Sequence, residues 1–211
     1  MSEDPARGEL ELLEAWRAGD RIAGERLLAA YYPHVAGFFR LRVGDAADDL
    51  TQRTFLGCVE GRTRVHSSSF RAYVFGVARH LLVEHIRAGH RKAAIDSFAV
   101  AQPQSVLSPS HVVRLRQEQL LLLRALDDLP LDMQMPLALC YVQGLKAREI
   151  AEVLEIPTST VTTRLQRARE ALRAKVETMR APAIVRDAAL ADLEGWTKSL
   201  LHVSLAPQPG E

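Results

Sequence analysis

Apolar positions recur along this chain at the three- and four-residue spacing of helices, and nowhere at the alternation of strands. Leu10, Leu13 and Trp16 form a first stripe that Gly19 ends. Asp20 is placed to cap a second helix carrying Ile22, Leu27 and Leu28. Pro33 suits the start of a third, with Val35, Phe38 and Phe39 on one face. Asp45 is a cap for a fourth, whose buried side would hold Leu50, Phe55 and Val59 before Gly61 closes it. After a polar, basic turn, Ser69 can cap a long helix with Phe70, Val74, Val77, Leu81 and His85 in one stripe. Periodicity then fades from Ala93 to Ser110, where Pro103, Pro109 and several serines mark a flexible connection. A helix resumes near His111 with Leu115, Leu122, Leu126 and Leu129 inward, and another runs over Asp132–Val142 with Pro136 inside it.

Two short helices follow. Ile150, Ala151 and Leu154 give the first an apolar face; Val161, Leu165, Ala168 and Leu172 give one to the second. Between them Pro157 cannot continue the first, and Thr158 or Ser159 can cap the second. In the tail, Ile184, Val185, Ala188, Leu193, Trp196, Leu200 and Leu201 suggest an amphipathic helix that docks on its own chain. The expected fold is all-α: two small helical domains, 10–92 and 111–178, joined by a flexible linker over 93–110. The second contains a helix-turn-helix, and an extension spans 179–211.

At 211 residues, 47% apolar and 25% charged, the chain can bury real cores and is an ordinary soluble composition, expected in the cytoplasm. The two cysteines, Cys58 and Cys140, sit in apolar helical stretches and read as buried thiols. The seven histidines are scattered, and His80, His85 and His90 stand five apart, which is not metal-ligand spacing. No metal, cofactor, membrane span or enzyme activity is expected.

Net charge is only +1, but its distribution is informative. Acids outnumber arginines over residues 1–60. Over residues 71–92, Arg71, Arg79, Arg87, Arg91 and Lys92 face a single acid, Glu84. Arg164, Arg167, Arg169 and Arg173 leave the last short helix away from its apolar stripe. A helix pair whose second member is apolar inward and basic, Thr/Ser/Gln-rich outward suits a DNA major groove.

With these residues in view, the chain resembles an ECF (extracytoplasmic-function) sigma factor of bacterial RNA polymerase over about residues 10–178. GLKAREIAEVLEIPTSTVTTRLQRAREAL is similar to the family's region 4 pattern, AADDLTQRTFLGC to its core-polymerase helix, and SFRAYVFGVARHLLVEHIRAGHRK to its promoter-melting helix. The resemblance implies region 2 over 10–92 and region 4 over 111–178. It implies core RNA polymerase and promoter DNA as partners, with an anti-sigma factor or the chain's own C-terminal extension as regulator. Asp48, Asp49 and Gln52 would meet the polymerase. The melted minus-ten element would be held by Arg71, Arg79 and Arg87 at phosphates and by His66, Ser67 and His80 at bases, with Phe70 and Tyr73 packing or stacking. The minus-thirty-five duplex would be read by Ser159, Thr162, Thr163, Arg164, Gln166 and Arg167, since Gln and Arg pair bidentately with adenine and guanine edges.

Several positions depart from the family pattern. Lys146 replaces a capping Ser, Glu155 the turn Gly, Thr162-Thr163 a Lys-Ser pair, and Gln166 a His. His80 replaces an Asn, Tyr73 a Trp, Ala46 an Asp and Arg53 a Glu. The expected target sequence is therefore open. An alternative stays on the table: a dimeric helix-turn-helix regulator whose front half oligomerises.

Overall fold

The computed structural model describes residues 5–65, 69–95 and 116–191. His66, Ser67, most of the expected linker, His111, Leu115, Leu193, Trp196, Leu200 and Leu201 lie outside the described residues. Nine α-helices are described: α1 (Pro5–Arg17), α2 (Arg21–Val43), α3 (Ala47–Glu60), α4 (Phe70–Ile95), α5 (Gln117–Asp127), α6 (Leu131–Leu137), α7 (Ala147–Leu154), α8 (Thr158–Thr178) and α9 (Ala183–Ala191). Among the described residues there is no strand.

The front half packs α1–α4 around aromatic residues. Phe38, Phe39, Phe70 and Phe75 are fully buried, with Leu27, Leu50 and Leu82 between them. Phe38 meets Phe39 and Phe75 edge-on at 5.3 and 5.6 Å, and Phe70 meets Trp16 and Tyr31 at 5.8 and 5.4 Å. Such edge-on pairs are favoured by the ring quadrupole. Asp20 caps α2 as expected, its Oδ1 accepting from the N–H groups of Ile22 and Ala23.

Three expectations need correction here. Pro33 does not open a separate helix: it lies inside the single helix α2, where its missing N–H leaves the Ala29 carbonyl without the usual donor. Asp45 does not cap α3, which starts after a 3-10 turn, Gly44–Ala46. The buried side of α3 is Ala47, Leu50, Thr51, Thr54 and Cys58, not Phe55 and Val59. Thr51 and Thr54 can be fully buried because each hydroxyl donates 2.7 Å back to the carbonyl four residues earlier. Cys58 is a buried free thiol whose pKa burial pushes up to about 12, so it stays protonated and unreactive.

The rear half gathers α5–α9 around Leu122, Leu126, Leu129, Leu139, Ile150, Leu165 and Leu172. Gln134 Nε2 donates to the carbonyls of Asp127 and Leu129, closing the end of α5. After α6 the chain makes a π turn, Ala138–Val142, and leaves it through Gly144 at φ +65°. Lys175 reaches Asp128 at 2.8 Å and ties α8 to α5. α9 folds back on α5 and α8 through Ala189, while Ile184, expected on the tail's apolar face, is 78% exposed.

Candidate nucleic-acid interface

α7 and α8 form the helix-turn-helix. The turn between them is set by Glu155, whose backbone is left-handed at φ 56°, ψ 42°. This conformation favours glycine, and Glu155 adopts it nonetheless. Lys146 supplies no side-chain cap, but Glu149 partly compensates: its Oε2 accepts the Lys146 N–H at 2.9 Å, half of a capping box. Neither Thr158 nor Ser159 caps α8, contrary to expectation; Pro157 precedes its first turn. The hydroxyls of Thr162 and Thr163 instead donate to the carbonyls of Thr158 and Ser159.

Val161, Leu165, Ala168, Leu172 and Val176 are the buried stripe of α8. Ser159, Thr162, Thr163, Gln166 and Arg167 are exposed together on the other side, and Arg164 is half-buried beside them. Gln166 donates 3.1 Å to Glu170 on the same face. All six expected duplex-reading residues thus share one outward surface. Arg169 is set apart from them, hydrogen-bonded to the Tyr141 hydroxyl with its guanidinium 5.2 Å over that ring.

The start of α4 is held doubly. Ser69 Oγ accepts from the Ala72 N–H at 3.1 Å, and Glu9 of α1 accepts from the Phe70 N–H at 3.2 Å. Glu9 also accepts the Tyr31 hydroxyl, which burial and this carboxylate keep protonated well above its ordinary range. Phe70 is a core residue with no exposed ring face, so its expected stacking role is excluded and packing remains. Tyr73 is half-buried, and its hydroxyl lies over Gly61, where a Cβ would come within 2.1 Å of it. Arg71 is half-buried, 5.9 Å over the Tyr31 ring. Arg79 is half-buried, while His80 and Arg87 are exposed and line one shallow hollow with Val83 and Glu84. His85, expected in the buried stripe, is exposed; the stripe runs Phe70, Val74, Phe75, Ala78 and Leu82.

On α3, Asp48, Asp49 and Gln52 are exposed. The acids are not bare: Arg40 stands 3.9 Å from Asp48, and Arg53 stands 3.8 Å from Asp49 and 3.5 Å from Glu84. Beside them is an apolar patch that the periodicity had assigned partly to the core. Tyr32 stacks on Phe55 at 5.7 Å and 18°, and Leu56 and Val59 continue it, with Leu56 59% exposed. The usable signal was the excess of apolar residues on α3 over what one buried stripe can absorb.

No group of His, Cys, Asp or Glu able to hold a metal occurs among the described residues, and no described helix is long and apolar enough to cross a membrane.

The structure is thus all-helical over the described residues, with a helix-turn-helix in its rear half and a basic helix, α4, beside the acidic and apolar surface of α3 in its front half. Residues 27–92 match the family model "Sigma-70 region 2", and residues 119–172 match "Sigma-70, region 4". The chain is 32% identical over 133 residues to the ECF RNA polymerase sigma factor SigC of Mycobacterium tuberculosis, covering 63% of this chain and 71% of that one. It is 26% identical over 178 residues to the ECF RNA polymerase sigma-E factor of Escherichia coli K12, covering 79% and 93%. Among solved structures, the fold is similar to CnrH in complex with the cytosolic domain of CnrY (TM-score 0.58, 19% identity, 81% of this chain, 97% of that one). It is also similar to the sigma factor RpoE bound to the anti-sigma factor NepR from Bartonella quintana (TM-score 0.59, 21% identity, 73% and 94%). The chain belongs to the ECF sigma factors, RNA polymerase subunits that direct promoter recognition. A dimeric regulator is not favoured, because the front half matches sigma region 2 rather than an oligomerisation domain.

Proposed function

We propose that three surfaces divide the work of promoter use. Residues 10–92 act as region 2, and residues 111–178 as region 4. The α3 surface docks on core RNA polymerase: Tyr32, Phe55 and Leu56 supply apolar contact area, and Asp48, Asp49 and Gln52 orient it against a basic partner. The outward face of α8 enters the major groove of the minus-thirty-five duplex. There Arg167 and Gln166 take base edges, and Ser159, Thr162, Thr163 and Arg164 take phosphates or thymine methyls. The segment 66–69 and α4 hold the melted minus-ten strand, with His66, Ser67 and His80 at bases, Tyr73 as a stacking edge, and Arg71, Arg79 and Arg87 at phosphates.

The observation that carries this reading is the division of α8 into a buried apolar stripe, Val161, Leu165, Ala168, Leu172 and Val176, and a polar side on which Ser159, Thr162, Thr163, Gln166 and Arg167 are exposed. Strand opening needs no catalytic group, because unpairing is offset by tighter binding of the opened bases. The protein accordingly acts without enzymatic chemistry, in the cytoplasm where polymerase works. The complexes of CnrH with CnrY and of RpoE with NepR support an anti-sigma partner; the chain's own extension, 179–211, is a second candidate regulator. Purified chain added to bacterial core polymerase should direct run-off transcription from a subset of genomic fragments. Failure to associate with core polymerase overturns the proposal.

A further inference from the structure

The start of α4 is tied down by a residue that lies outside the part of the chain matching region 2. Glu9 stands on α1, ahead of residues 27–92. Its Oε1 accepts from the Phe70 N–H at 3.2 Å, and its Oε2 accepts from the Tyr31 hydroxyl. One carboxylate thus joins α1, α2 and the first turn of α4. Tyr31 is 5% exposed, so its hydroxyl depends on Glu9 in place of water. Arg71, the next residue after Phe70, lays its guanidinium 5.9 Å over the Tyr31 ring. It also pulls the phenol's pKa down, against the burial and the Glu9 carboxylate that raise it. Glu9, Tyr31 and Arg71 therefore form one connected arm.

This arm decides how an anion can be met at that end of α4. A helix N-terminus ordinarily attracts phosphate through its free N–H groups. Here the Phe70 N–H is taken by Glu9, and the Ala72 N–H by Ser69 Oγ at 3.1 Å. A phosphate arriving there must be met by a side chain, and Arg71 is the cation in place. A hollow of about 290 Å³ opens beside it, lined by Glu9, Tyr31, His34 and Arg71 with Leu12 and Leu27. The charge of Glu9 is largely committed, since both oxygens hold donors and one sits at the positive end of the α4 dipole. An arginine free on a helix surface loses rotamer freedom when it grips a phosphate. One already laid over a buried tyrosine loses less.

We propose that Glu9 and Tyr31 are positioning residues, an arm running from α1 through α2 that holds Arg71 ready to meet a backbone phosphate of single-stranded DNA in this hollow. The DNA-holding surface thereby extends to α1, beyond the residues that match region 2. This rests on the assignment of α4 to the melted strand proposed above. Plain electrostatics makes the opposite prediction for Glu9: removing an acid near DNA tightens binding, whereas removing a positioning residue loosens it.

The test assembles the full-length chain with core polymerase in six forms: wild type, Glu9→Ala, Tyr31→Phe, Arg71→Gln, and each of the first two substitutions combined with Arg71→Gln. Anisotropy of a short labelled single-stranded DNA of mixed sequence, read across a salt series against core polymerase alone, gives affinity and salt slope. Circular dichroism gives helix content. Arg71→Gln should weaken binding and make the slope of log affinity against log salt shallower by about 0.7, the value for one single-strand phosphate contact. Glu9→Ala and Tyr31→Phe should each weaken binding roughly three- to tenfold, the ordering cost of one long side chain. Neither should weaken it further once Arg71 is Gln, which separates positioning from a general loss of fold. If Glu9→Ala loses helix content, Glu9→Gln carries the same test, because it can accept from the Phe70 N–H but not also from Tyr31. Tighter or unchanged binding by the Glu9 variant, or an equal loss in both Arg71 backgrounds, overturns the arm and leaves Arg71 at phosphate. An Arg71→Gln protein with wild-type affinity and slope removes the assignment of Arg71 to phosphate, and the arm with it.

Discussion

Gly61 joins helix α3 to the segment that leads into α4, and its small size has a specific reason. Its φ of −91° is open to any residue, so backbone freedom does not demand glycine. Space does. A Cβ there would lie 2.1 Å from the Tyr73 hydroxyl but 3.5 Å from Tyr73 Cζ. The hydroxyl would have to retreat by about an ångström, and the half-buried ring must tilt with it. Overpacking of this kind costs about 1–3 kcal/mol. We expect Gly61→Ala to lose about 2 kcal/mol, or roughly 4–8 °C in Tm for a chain of this size. In a Tyr73→Phe background the hydroxyl contact is gone and the Gly57 carbonyl oxygen, 3.1 Å from that Cβ, remains, so the same substitution should cost about 1 kcal/mol. Whatever Tyr73→Phe changes on its own cancels in the cycle, leaving a coupling of about 1 kcal/mol between the two sites. Urea melts of the four proteins measure it. An equal cost for Gly61→Ala in both backgrounds would refute the steric argument.

Other consequences follow from the same structure. Leu165→Ala empties a buried position of α8 and should destabilise the rear half by about 2–4 kcal/mol; a loss below about 1 kcal/mol in thermal melts would mean that α8 is not docked as described. Tyr32→Ser/Leu56→Ser should weaken core polymerase binding several-fold by surface plasmon resonance at little cost in Tm, since both side chains are substantially exposed; undiminished binding would remove the apolar patch from the polymerase surface. Arg167→Ala should weaken promoter binding, and a loss equal across unrelated sequences would make Arg167 a phosphate contact rather than a base reader. His34 is held below its ordinary pKa by burial and by Arg71, against a raising contribution from Gln143. The unfolded chain therefore takes the proton first: His34's contribution to stability is complete above about pH 6.5 and is lost as pH falls below it. Acidification from pH 7.5 to 5.5 should lower the Tm of the wild type more than that of His34→Gln, and equal slopes would show that His34 does not couple to folding.

Helix periodicity and cap residues made most of the fold legible, because Leu13, Trp16, Phe38, Phe39, Leu122, Leu165 and Leu172 bury where a 3.6-residue repeat puts them. The same logic failed on α3. There the core takes Thr51, Thr54 and Cys58, whose polar groups are satisfied locally or are weak, and leaves Phe55 half-buried at its edge and Val59 exposed. Apolar counting cannot see a hydroxyl that bonds within its own helix. Pro33 misled for a related reason: its fixed φ is compatible with a helix interior when surrounding packing offsets one missing bond. The face of α8 was readable because its two sides are compositionally distinct. The hydrogen bonds between the two halves were not. Ser69 and Glu149 are 80 residues apart, and His34 and Gln143 109, so no local pattern carries their pairing.

The π turn over Ala138–Val142 sets the angular phase of the rear half. A π turn amounts to one residue more than the α-helical count, and each residue advances an α-helix by about 100°. Because the turn comes immediately before Gln143 and Gly144, that extra residue fixes the azimuth at which α7 and α8 depart from α6. Shortening the turn by one residue would rotate Gln143 away from His34 and swing α8 to a new heading, with every side chain of its exposed face unaltered. On the proposed placement of α8 in the groove, its alignment would be governed by residue number in this segment, and insertions or deletions there would act as changes of bearing rather than of chemistry.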